Sequence, residues 1–206
     1  MRHLTSKLAP VALVLALLVG TGPAANAGAS FDFLFSMNNV SDDDQYFLNL
    51  AVSNYGYDRR ILEPVLPRIR YVEIDLPVIL FLAKESGRPV DFIVDLRARG
   101  LSWSVIFTRL DLPVDVLFVG IDRDPGPPFG RAWGYWRKNP RGVRLSDADV
   151  TGLVQLQIGA RTSGLAPFEL ARARGQGKRV VALVAERKGR PYHQGKPAHA
   201  KGHRHH

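Results

Sequence analysis

The chain contains no cysteine in 206 residues, which excludes disulfides, thiolate metal ligands and thiol nucleophiles. Histidine is missing between His3 and His193. Without either residue type the body of the chain cannot assemble a Ser-His or Cys-His nucleophile pair or the usual zinc triads. The Gly-x-Ser-x-Gly, His-Glu-x-x-His and glycine-rich phosphate-loop patterns are lacking as well. These absences argue against an enzyme, and no cofactor is expected.

The N-terminus carries Arg2 and Lys7, then an apolar run from Leu8 to Val19, then small residues ending at Ala25-Asn26-Ala27. Those three regions in that order form a secretory signal, with cleavage expected after Ala27. The run is too short to cross a hydrocarbon core of about 30 Å, so no transmembrane segment is expected after cleavage. The missing cysteine also excludes lipid attachment at the cleavage site. Export to the periplasm or the medium is the expectation, and 1–27 takes no part in the fold.

The formal net charge of +9 is unevenly spread. Residues 28–171 hold sixteen basic against eighteen acidic side chains, whereas 172–206 hold ten against one. The body is thus near neutral and the basic excess sits in the tail, so the overall charge does not imply a nucleic-acid surface on the folded part.

One compact domain over 41–188 is expected from the length. Residues 28–40, with Phe31, Phe33, Leu34 and Phe35, form an apolar arm ahead of it. Ser41 with Asp44 three residues on reads as a capping-box variant opening an amphipathic helix that stops near Gly56. From Asp75 a short unit recurs, with Pro77-Val78, Pro89-Val90, Ser102-Trp103 and Pro113-Val114 each followed by an apolar pair. Proline suits a first helical turn, and Gly87 and Gly100 sit where C-terminal caps belong. The pattern predicts helices near 76–85, 89–98, 102–110 and 113–120, and an all-α fold of short helices with Trp103 as a core anchor. Arg59-Arg60 and Arg97-Arg99 read as helix faces.

The stretch Ser86-Gly87, Arg97-Ala98-Arg99-Gly100, Val105-Ile106 resembles Ser163-Gly164, Arg172-Ala173-Arg174-Gly175, Val180-Val181. This suggests a degenerate internal duplication of a three-helix unit, set against chance similarity between short Arg/Ala helices. Between the copies, 122–142 is rich in proline and glycine and reads as a long loop. Helices resume at Ser146, again with a capping spacing to Asp149. From about Gly189 the chain becomes a basic, histidine-rich tail with too little apolar content to fold, read as disordered.

Leu96, Arg97, Ala98, Gly100, Ser102, Ile106, Leu110, Leu112, Pro113 and Val116 give residues 93–117 a local resemblance to the helix-turn-helix of site-specific recombinases and many repressors. The resemblance implies packed helical hairpins and, in that family, a DNA-reading second helix. Here the segment in that position, 113–119, carries Asp115 and no Arg, Lys, Asn or Gln. Those are the side chains that read base edges, so the hairpin is retained and nucleic acid is not expected as a partner.

Phe129, Arg131, Trp133, Tyr135, Trp136, Arg137 and Lys138 interleave aromatics with cations in the expected loop. Such a surface stacks sugars or bases while its cations meet anionic groups. For an exported protein the accessible partner is envelope polysaccharide or another acidic polymer. The alternative is that the rings pin the loop onto the helices. His199, His203, His205 and His206 are candidate metal ligands in the tail, although a tail without fixed geometry binds metal weakly and composition equally suits a solvated basic extension. Asp42, Asp43, Asp44, Asp122 and Asp124 do not match the EF-hand spacing; helix capping accounts for the first three and loop solubility for the others. The functional expectation is a non-enzymatic envelope or extracellular binding or structural protein. Two alternatives are a hydrolase of cell-wall polysaccharide built on paired carboxylates and a helix-turn-helix DNA-binding module.

Overall fold

The computed structural model describes residues 42–140 and 145–189. Among the described residues there are nine α-helices and no β-strand. In chain order they are α1 (Asp42–Tyr55), α2 (Arg59–Leu62), α3 (Val72–Ser86), α4 (Val90–Ala98), α5 (Trp103–Arg109), α6 (Gly130–Lys138), α7 (Asp147–Ser163), α8 (Pro167–Gly175) and α9 (Val180–Arg187). Two 3-10 turns, Leu66–Arg68 and Val114–Leu117, join them. No described helix is long and apolar enough to cross a membrane.

Helix α3 is the centre of the fold. Leu76, Val78, Ile79, Leu80, Phe81 and Leu82 are all buried, and a helix that is apolar on every side belongs inside. It packs against α1, α4 and α7, while α7 in turn packs against α8 and α9, and α9 also meets α1. Fully buried Leu153, Val154, Leu156 and Ile158 supply the core face of α7.

Local chemistry explains most helix ends. Ser146 accepts a hydrogen bond from the Asp149 amide and Asp149 accepts one from the Ser146 amide, the reciprocal capping box that starts α7. At the other end Gly164 takes φ of 73°, the left-handed conformation that favours glycine. The end of α3 repeats this at Gly87, with φ of 65°. In both, the last serine of the helix bonds back one turn, Ser86 to Leu82 and Ser163 to Gly159. The helix lengths also correspond, at 15, 9 and 7 residues for α3, α4 and α5 and at 17, 9 and 8 for α7, α8 and α9.

Three sequence expectations need correction. Helix α3 begins at Val72, not 76, and holds Pro77 in its interior. Pro77 forfeits one backbone bond near the helix start, a loss that burial of the apolar run around it outweighs. The helix expected at 113–120 is only the 3-10 turn Val114–Leu117, entered through Asp111 with φ of 53°. Finally, 122–142 is not a continuous loop, because Gly130–Lys138 is α6. Pro125, Gly126, Pro127 and Pro128 lie in the approach and Pro140 beyond the helix end, while Phe129, Ala132, Trp133 and Trp136 fall at the i, i+3, i+4, i+7 spacing of one helix face. A Cβ on Gly130 would lie 2.8 Å from Asp124 Oδ1, so a larger residue there would displace the carboxylate that accepts the Gly126 amide.

The expected signal 1–27, the arm 28–40, the Ser41 cap, the end of the aromatic segment at 141–144 and the tail from 190, with all four candidate metal-ligating histidines, lie outside the described residues.

Candidate functional site

Helix α6 divides the seven candidate residues into two sets. Phe129 is buried, with its ring edge so close to α7 that a Cβ on Gly152 would sit 2.8 Å from Phe129 Cε1. Trp133 donates its indole N–H to the Ile121 carbonyl at 3.1 Å. Trp136 donates to Asp115 Oδ1 at 2.7 Å and stacks on Phe118, with ring centroids 4.5 Å apart and planes 9° from parallel. These three rings therefore face the body of the protein and hold α6 on it. A buried or half-buried indole usually finds a partner for its N–H, and here the Ile121 backbone and Asp115 supply it.

Arg131, Tyr135, Arg137 and Lys138 form the outward set. All four are exposed, Tyr135 by 53%. The Arg131 guanidinium lies 5.6 Å from the Tyr135 ring centre, and that of Arg137 lies 5.8 and 5.7 Å from the centres of Trp133 and Trp136. Cations at these distances are attracted by the ring face, by about 0.5–1 kcal/mol at exposed sites. Arg137 and Lys138 also occupy the last turn of α6, where positive charge complements the helix dipole. The helix itself carries no acid.

A second polar centre, not singled out in the sequence, lies around Arg97. Its Nη1 donates to Asp147 Oδ2 at 2.6 Å and to the Leu101 carbonyl at 3.0 Å, and its Nη2 donates to Asp75 Oδ1 at 3.2 Å. The guanidinium lies 4.2 Å from the centre of the Trp103 ring. Asp147 also accepts the Trp103 backbone N–H at 2.8 Å. Arg97 is thus a clamp joining α3, α4, α5 and α7 rather than a solvated helix face. Asp75 is 3% exposed, and burial raises its carboxyl pKa; the bond from Arg97 offsets part of the rise and the Asp147 charge adds to it. Burial works against the Arg97 charge too, but the bonds to Asp147 and Asp75 overcome it and leave its pKa raised. The clue available in the sequence was an acid, Asp75, immediately ahead of the apolar run 76–83.

The Asp43 and Asp44 carboxylates, assigned to capping, accept bonds from Arg179 at 2.6 and 3.2 Å and so tie α1 to the start of α9. Among the described residues no group of three His, Cys, Asp or Glu side chains is placed to hold a metal ion.

No family model, curated protein sequence or solved structure matches the chain.

Proposed function

We propose that the protein is an exported, non-enzymatic binding protein of the cell envelope or extracellular space, and that it holds an acidic polysaccharide on the outward face of α6. The supporting observation is the sorting of α6 into an anchored inner face, Phe129, Trp133 and Trp136, and an exposed outer face, Arg131, Tyr135, Arg137 and Lys138. Three cations and one open ring on a helix without acids suit a polymer with carboxylate groups and sugar faces. Export rests on the signal pattern at 1–27. The basic residues of 172–206 add charge of the same sign.

The roles of the two tryptophans are supporting ones, since their N–H groups and part of their faces are engaged within the protein. The similar lengths of α3, α4, α5 and α7, α8, α9, with the serine-glycine ends of α3 and α7, support descent of both halves from one duplicated unit. A paired-carboxylate hydrolase has less support: Asp75 and Asp147 both bind Arg97, and Asp147 does not line the cleft that Asp75 does.

Sedimentation of the protein with polygalacturonate and with peptidoglycan tests the proposal. Binding should weaken with salt and fall about tenfold in an Arg131→Gln, Tyr135→Ala, Lys138→Gln triple variant whose circular dichroism is unchanged. Equal retention of wild type and variant would remove α6 as the binding face. N-terminal sequencing of exported protein should begin at Gly28.

A further inference from the structure

The geometry points to a separate small-molecule site between segment 69–71, α3 and α4, one that takes a small carboxylic acid with an apolar body and a hydroxyl or amine at its far end. The cleft there has a volume of about 290 Å³, just under the range of about 300–1,000 Å³ for small-molecule pockets and too small for a polymer. It is built from periodic positions. Asp75 and Ile79 stand one turn apart on α3, and Val94, Arg97 and Ala98 share one face of α4.

The two ends of the cleft differ in chemistry. At the buried end, Asp75 gives only Oδ1 to Arg97, and among the described residues its Oδ2 accepts no hydrogen bond. At the exposed end stands Arg70, 5.1 Å from the centre of the Tyr71 ring. Among the described residues no carboxylate pairs with it, whereas Arg68 is paired with Asp95 and Arg97 with Asp75 and Asp147. Ile69, Ile79 and Val94 line the space between. A ligand with an acid group alone would bring that group against Asp75 if it entered head first, and one with a donor alone would leave Arg70 unused. The complementary molecule carries the donor inward, the acid outward and an apolar spacer between them.

Titration calorimetry on the full mature chain decides this, with para-hydroxyphenylacetate and gamma-aminobutyrate as probes. Phenylacetate and butyrate, which lack the donor, and para-hydroxyphenylethanol and propylamine, which lack the acid, are the respective controls. At least one bifunctional probe should bind saturably at millimolar concentration, and its controls should bind about tenfold more weakly. Arg70→Gln should reduce binding by a similar factor, and Ala98→Phe, which fills the cleft, should abolish it, both with unchanged circular dichroism. Absence of binding by both bifunctional probes overturns the site. So does equal affinity of a control, or wild-type affinity in either variant. Because none of these residues belongs to α6, failure here leaves the polysaccharide proposal standing, and the reverse also holds.

Discussion

Arg97 donates to Asp75 at 3.2 Å while its guanidinium covers the fully buried Trp103 ring at 4.2 Å. One side chain therefore neutralises a buried acid and closes one side of the largest ring in the core.

Removing that cation leaves Asp75 buried without its partner. Arg97→Ala should cost about 3–5 kcal/mol in urea unfolding, the range for breaking one side of a buried ion pair. Arg97→Lys should fall between, because a point charge cannot reach both acids and the ring as the planar fork does. Wild-type stability in Arg97→Ala would mean that the clamp contributes nothing.

Acidity tests the same centre with an opposite sign from the usual carboxylate. The folded pKa of Asp75 is raised by burial, so the native protein takes up this proton more readily than the unfolded chain. Its contribution to stability is fully present below the unfolded pKa and is lost as pH rises through the folded value. The stability of wild type relative to Asp75→Asn should accordingly decline as pH is raised from the ordinary aspartate range toward neutrality. A relative stability that increases over that interval would contradict the assignment.

Trp103→Ala should cost about 3–5 kcal/mol, since the ring is fully buried and the cavity left behind is large. A loss below about 1 kcal/mol would be a surface value.

Two glycines should respond oppositely to the same change. At Gly134 in α6 a Cβ meets nothing within 4 Å, so Gly134→Ala should stabilise the protein by up to about 1 kcal/mol through helix propensity. At Gly152 in α7 the new Cβ would stand 2.8 Å from the buried Phe129 ring. Overpacking of about 1–3 kcal/mol should outweigh the propensity gain there, and Phe129→Leu in the same chain should recover part of the loss. Thermal unfolding of the three variants reads all of this.

The buried indole of Trp103 and the course of α4 and α5 were legible in the sequence because Pro89, Gly100 and the Ser102 cap are local signals acting over a few residues. The same holds for the capping box at Ser146 and Asp149. Helix α6 was hidden for a compositional reason: the prolines of the approach and its own two glycines masked an i, i+3, i+4, i+7 face. The start of α3 was hidden too, because Pro77 suggested a first turn that the structure places at Val72.

By itself the sequence determined what depends on neighbours along the chain: the helical class, the caps at Ser102 and Ser146, the left-handed turns at Gly87 and Gly100, and the exclusion of thiol and histidine chemistry from the body. Tertiary structure alone decided which of the aromatic residues in 129–136 turn inward, because Ile121, Asp115 and Phe118 become partners only once α6 is laid against them. It alone also brought Asp75, Arg97 and Asp147 together, residues 22 and 50 positions apart. Charge and hydrogen bonding act over a few ångströms of space, and no periodicity along the chain records which distant groups will meet there.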